Sequence, residues 1–133
     1  MIARSDLEAI ARSRLREAKA LFQSRHYDGA AYLCGYAIEL ALKARVCRHL
    51  KWKGFPENQK ESKWSQALKT HDLAALLELS GVQNRIKSTY VADWSFIHSN
   101  WSPEARYRVI GSFSSITTLT MLQAATTLLR TLL

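Results

Sequence analysis

The stretch from Tyr27 to Trp52, YDGAAYLCGYAIELALKARVCRHLKW, constrains the fold more than any other. Read as one helix, it carries small and apolar residues on nearly every side, and a helix apolar all round belongs at the centre of a bundle. Glu39 and Lys43 sit in its middle as an i,i+4 pair with the acid first, worth about 0.2–0.5 kcal/mol when exposed. Their neighbours Ala37, Ile38, Leu40, Ala41, Leu42 and Ala44 imply partial burial. Buried charges persist when paired, either as a structural link or as part of a site. Gly29 and Gly35 each cost about 1 kcal/mol of helix propensity against Ala, which close approach of a neighbouring helix would offset. Lys43, Arg45, Arg48, Lys51 and Lys53 then place five cations in eleven residues, and Gly54 and Pro56 complete a stop signal.

The rest of the chain reads as helices packed around this one. Ser5-Asp6-Leu7-Glu8 has the form of a capping box. Leu7, Ala11, Leu15, Ala18 and Phe22 share one face of the helix that follows. Arg12, Arg16 and Lys19 form another face, either solvated or in contact with phosphate. That helix is predicted to end near Ser24-Arg25, with Asp28 as N-cap of the central helix. Residues 57–69 read as a polar loop anchored by Trp64 and Leu68. Thr70 is predicted to cap a helix through Leu77 that stops at Ser80-Gly81, and Val82, Ile86, Tyr90, Trp94 and Ile97 mark a fourth. Ser102, Pro103 and Glu104 give a further start signal, with an interruption near Gly111-Ser112. Phe113, Thr117, Met121, Ala124 and Leu128 then stripe a final helix whose threonines would also suit strands. The predicted architecture is all-α, an antiparallel up-and-down bundle of four to five helices in a single domain spanning residues 1–133.

The chain has 19 Lys and Arg against 11 Asp and Glu, a net charge of +8 that favours polyanionic partners such as RNA or an acidic protein. Cys34 and Cys47, thirteen residues apart on one helix, would be separated by roughly 20 Å, too far for a disulfide. They read as buried thiols. Met1 leads straight into an alternating charged and apolar pattern, so the expectation is no signal peptide and a cytoplasmic protein. Val109–Leu129 is uncharged and long enough to span a bilayer. About half of it is Gly, Ser, Thr or Gln, so no membrane association is expected. The four histidines and two cysteines show no metal-ligand spacing, and no glycine-rich nucleotide loop is present, so neither metal nor cofactor is expected. Arg106, Tyr107 and Arg108, with Trp94 and Trp101 close in sequence, suit phosphate contact and base stacking; the alternative is an Arg paired with an acid such as Glu39 and aromatics filling the core.

The run Tyr27–Leu33 followed by Gly35–Ala44 resembles the central helix of a HEPN domain (higher eukaryote and prokaryote nucleotide-binding). Thr70-His71-Asp72-Leu73 and Trp101–Tyr107 are similar to further landmarks of a prokaryotic stand-alone branch. The resemblance spans nearly the whole chain and implies a helical bundle that commonly dimerises. It also implies one of three roles: metal-independent endoribonuclease, often a toxin in a toxin–antitoxin pair; partner of a minimal nucleotidyltransferase; or nucleotide-binding module. The ribonuclease members carry Arg-x4–6-His, in which Arg grips phosphate and His acts in acid–base cleavage. Here Arg45 precedes His49 by too short a gap on the wrong helix, and no His follows Arg106.

These readings predict a catalytically degenerate homodimer that binds a nucleotide, RNA or a protein partner such as an antitoxin or nucleotidyltransferase. Lys43 and Arg106 are expected to hold phosphate, Tyr107 to stack or donate, and Glu39 to orient the cations. Catalytic residues stay unassigned, with Arg106, His98 and His71 as candidates for an endoribonuclease. A third expectation is a structural dimer that binds an acidic protein.

Overall fold

The computed structural model describes residues 1–56 and 71–133. Helix α1 (Arg4–Gln23) and helix α2 (Tyr27–His49) form a helical hairpin whose short turn places Arg25 in the left-handed region at φ 65°. Two-residue strands β1 (Ile2–Ala3) and β2 (Gly54–Phe55) pair antiparallel, Ile2 opposite Phe55, so the chain leaving α2 returns to the start of α1. Helices α3 (Leu73–Leu79), α4 (Gln83–Thr89) and α5 (Val91–Asn100) follow. A 3-10 turn (Pro103–Tyr107) then leads to helix α6 (Ser115–Leu132).

As its composition requires, α2 is central: α1, α6, α3 and the 3-10 turn all pack on it. Ala30, Ala31, Cys34, Ile38, Leu42 and Val46 are fully buried and lie on several sides of the helix. The first glycine, Gly29, faces Leu21 of α1; a Cβ there would stand 3.3 Å from Leu21 Cδ1. Gly35 meets not a helix but the indole of Trp101: a Cβ would lie 2.1 Å from Trp101 Cδ2. Trp101 Nε1 donates to the Tyr32 carbonyl at 3.0 Å, fixing the ring across the glycine.

The bundle is all-helical apart from the short strand pair, but the described residues form six α-helices rather than four to five. The apolar series from Val82 to Ile97 breaks at Tyr90 (φ −117°, ψ 30°), which ends α4 and begins α5. Ser88 donates to the Asn84 carbonyl at 2.7 Å, a side-chain bond that competes with the helix ladder near the break. The start signal at Ser102 produces just the 3-10 turn, and the Ser102 side chain makes no cap bond.

Three further cap expectations are corrected. Helix α1 begins before the Ser5 box because β1 delivers the chain at Ala3; Arg4 takes Glu8 as an ion-pair partner at 3.5 Å instead. Asp28 does not cap α2. Its carboxylate accepts from the Gly111 N–H at 2.7 Å and the Phe113 N–H at 3.1 Å, pinning the segment before α6. Thr70, Trp64 and Leu68 lie outside the described residues; α3 is capped by Asp72, which accepts from Ala74 N–H at 2.9 Å.

The threonines of α6 sit in a helix because their hydroxyls turn inward along it. Thr118, Thr120, Thr126, Thr127 and Thr131 each donate to the carbonyl four residues back. Arg45 donates to the Leu132 carbonyl at the C-terminus of α6, where a cation suits the helix dipole. That use removes Arg45 from the free cationic cluster at the end of α2. Among the described residues no helix is long and apolar enough to cross a membrane.

Candidate functional site

Glu39 sits where the all-apolar surface of α2 should seal, and its side chain is 3% exposed. A carboxylate that deep needs partners, and among the described residues it has two. Lys43 Nζ donates to Oε2 at 3.2 Å, while His71 Nδ1 lies 3.2 and 3.1 Å from the two carboxylate oxygens. The ammonium also stands 5.3 Å from the Phe55 ring centroid, a cation–π contact that covers it further. Burial, and then the charge of Glu39, push the Tyr36 phenol above its ordinary pKa, so it stays protonated beside this pair.

His71 carries the network outward. Its ring is 58% exposed and lies just before α3, whose first turn is fixed by the Asp72 cap. An ionised carboxylate can accept but not donate, so this contact is a hydrogen bond when Nδ1 carries a proton, and Glu39 then orients the ring. His71, Asp72 and Leu73 form one side of a groove of about 550 Å³. His98, Trp101 and Ser102 from the end of α5, with Glu104 and Arg106 from the 3-10 turn, form the rest.

Each wall is positioned by packing. The His98 ring stacks on the buried Trp94, with centroids 6.0 Å apart and planes at 13°. Arg106 lies 5.0 Å from the Tyr107 ring centroid. Tyr107, and then a side-chain hydrogen bond to Tyr32, hold the guanidinium pKa above its ordinary value, so it is cationic at any working pH. Tyr32 in turn stacks with Tyr36 at 6.2 Å and tilts against Trp101 at 6.3 Å. The groove therefore joins a guanidinium, two imidazoles and aromatic faces, with Asp72 and Glu104 on its rim. That set can hold a phosphate and shift protons beside it. Among the described residues no group of three His, Cys, Asp or Glu is placed to hold a metal ion.

Of the residues singled out from sequence, His71, His98 and Arg106 come together in this groove. Glu39 and Lys43 lie beneath it, joined to it through His71, and Tyr107 is 76% exposed with its ring against Arg106. His26 and His49 are elsewhere: His26 precedes α2, and His49 lies against Gly81, whose φ of 78° turns the chain after α3. Sequence reasoning missed Tyr32. Its signal was the Tyr32–Tyr36 pair one helical turn apart with Gly35 between, a pattern that suits an aromatic shelf on a helix.

The fold and groove together define a helical-bundle protein with a cleft beside its central helix that bears two histidines and an arginine. A family model for the HEPN domain matches residues 5–54, which hold α1 and α2, and this is consistent with membership of that family in general. No curated protein and no solved structure matches the chain.

Proposed function

We propose that the chain is a single HEPN-type domain of the prokaryotic stand-alone kind that binds a nucleotide or RNA through the groove between α3 and α5. The observation that carries this reading is the convergence of Arg106, His71 and His98 on one groove. Arg106 would grip a phosphate through its fork of donors, while Tyr107, exposed and with its ring against Arg106, offers a stacking face. Exposed Val109, Ile110 and Ile116 (82%, 95% and 78%) support a homodimer that would cover them. The net charge of +8 supports an acidic protein partner, such as an antitoxin or a nucleotidyltransferase.

A second reading, metal-independent endoribonuclease, is favoured by the Glu39–His71 contact. A buried carboxylate that orients an exposed imidazole is the arrangement a general base needs. His71 Nε2 would take the 2′-hydroxyl proton as the 2′-oxygen attacks phosphorus. His98 would protonate the departing 5′-oxygen, leaving a 2′,3′-cyclic phosphate, with Arg106 on the non-bridging oxygens. The Arg-x4–6-His signature is absent, so His71 and His98 would have to do this work from α3 and α5.

The test is binding and cleavage of labelled RNA by the purified protein in EDTA across a salt series. Salt-dependent binding lost in Arg106→Ala without cleavage supports the binding module. EDTA-resistant cleavage lost in both His71→Ala and Arg106→Ala selects the ribonuclease. Absence of binding to RNA and to nucleotides at low salt removes both readings.

A further inference from the structure

A second groove runs between α1 and α6, on a side of the bundle that the HEPN-type reading does not use. It consists of two adjoining depressions of about 660 and 460 Å³ that share Leu15, Arg16, Thr126 and Arg130. Its floor is aliphatic: Leu15 of α1 meets Leu119, Leu122 and Leu129 of α6, with Phe22 at one end. Its rim is cationic. Arg12, Arg16 and Lys19 recur at helical spacing along α1, Arg130 faces them from α6, and among the described residues neither depression contains an acid. From Leu119 to Leu133 the α6 wall extends about 21 Å, the length of four helical turns.

We infer that this groove docks an amphipathic helix of a partner protein, one with an apolar stripe flanked by Asp or Glu. The charge pattern and the floor select that occupant together. An aliphatic floor between like-charged rims matches the apolar stripe and acidic shoulders of such a helix. RNA would gain little from the floor, because it offers leucines where bases need flat aromatic faces. Among the described residues a second copy of this chain lacks the complementary strip. Glu8, Glu17, Asp28 and Glu39 are already committed to Arg4, to Arg14, to backbone amides and to Lys43. Of the other acids among the described residues, Asp72 caps α3, and Asp6, Glu78, Asp93 and Glu104 lie on four different elements.

The experiment uses the full chain and a fluorescent helical peptide of roughly 16 residues, with leucines along one face and glutamates beside them. A second peptide replaces every glutamate by lysine. Fluorescence anisotropy is expected to show binding of the glutamate peptide and none of the lysine peptide. The double variant Arg16→Glu with Arg130→Glu is expected to weaken binding by a factor on the order of tenfold or more. Leu119→Asp, at a partly exposed floor position, is expected to weaken it as well, while Arg48→Glu, outside the groove, leaves it unchanged. All four positions are at the surface, so unchanged unfolding midpoints will show that the variants fold. Equal affinity for the two peptides, or affinity untouched by the groove variants, overturns the inference. So does RNA that binds wild type and loses affinity through the groove variants, and so does self-association of the wild type that Leu119→Asp abolishes. The RNA test of the α3–α5 groove reads Arg106 and His71, so either idea can fail while the other stands.

Discussion

The two grooves differ in how their charge is held. Beside α3 and α5, cations and acids are mixed, and each polar group that matters is oriented by a neighbour. Glu39 sets His71, Trp94 sets His98, and Arg106 packs on Tyr107. Between α1 and α6, charge of one sign stands along a leucine floor, and no side-chain bond fixes Arg16 or Arg130 among the contacts of the described residues. Fixed, mixed polarity suits a ligand read at particular atoms, whereas single-sign charge over an aliphatic floor suits a surface that tolerates several registers of one kind of partner.

The sharpest way to separate the two regions is Gly35→Val. Its side chain would meet the Trp101 indole on a nearly fully buried ring, so the groove beside α3 should lose its floor at a cost of about 3 kcal/mol. Thermal unfolding should show a fall of many degrees, and any residual folded protein should lose RNA binding before it loses the acidic peptide. Glu39→Ala comes next. It leaves Lys43, 14% exposed, without its carboxylate and frees the His71 ring, for about 2 kcal/mol by denaturant titration. Glu39→Gln, which retains an acceptor, should recover part of the loss. If both variants unfold like wild type, the pair is not holding the groove.

Asp28→Ala should cost about 1–2 kcal/mol, because two backbone amides, Gly111 and Phe113, lose their acceptor. Hydrogen exchange at those amides should rise while exchange at Trp101 Nε1 stays slow. The smallest effects are at the surface: Arg16→Glu with Arg130→Glu should change stability by no more than about 0.5 kcal/mol. A larger loss would mean that the α1–α6 rim carries structure and not docking alone.

The thiols provide a pH test that touches neither groove. Burial pushes Cys34 up to about 12 and Cys47 up to about 11 from an ordinary 9.0. Above pH 9 the unfolded chain gives up these protons while the folded chain keeps them, so stability falls as pH rises from 9 toward 12. Replacing Cys34 by Ala should flatten that fall. Under native conditions both thiols should resist alkylation until the bundle opens.

Much of the helical framework was legible in the residues themselves. The C-terminal end of α1, the start of α2 at Tyr27, the central burial of α2, the two buried cysteines and the α3 stop at Ser80-Gly81 all follow from periodicity, small residues and terminator spacing. The far end of α2 did not: the helix stops at His49, short of Trp52, and Lys51 turns the chain at φ 58°. The count of helices was not legible either, because the break at Tyr90 keeps Ile86, Trp94 and Ile97 all buried; the apolar series looks the same broken or whole. Capping residues were misassigned for a related reason. Ser5 and Asp28 have the right chemistry for a local cap, yet β1 and the Gly111 segment give their surroundings other uses.

The sequence by itself determined that α2 must be hidden at the centre and where α3 stops, since small and apolar residues and terminators act within a few residues of chain. It also determined that Glu39 would need a cation, because Lys43 stands one turn away. Tertiary structure alone decided that His71 becomes the second partner and that the Trp101 indole lies on Gly35. The contacts of Tyr32 with Trp101 and of Asp28 with Gly111 join residues 69 and 83 positions apart. Local periodicity fixes which face a residue occupies, and packing of one helix on another decides which faces meet.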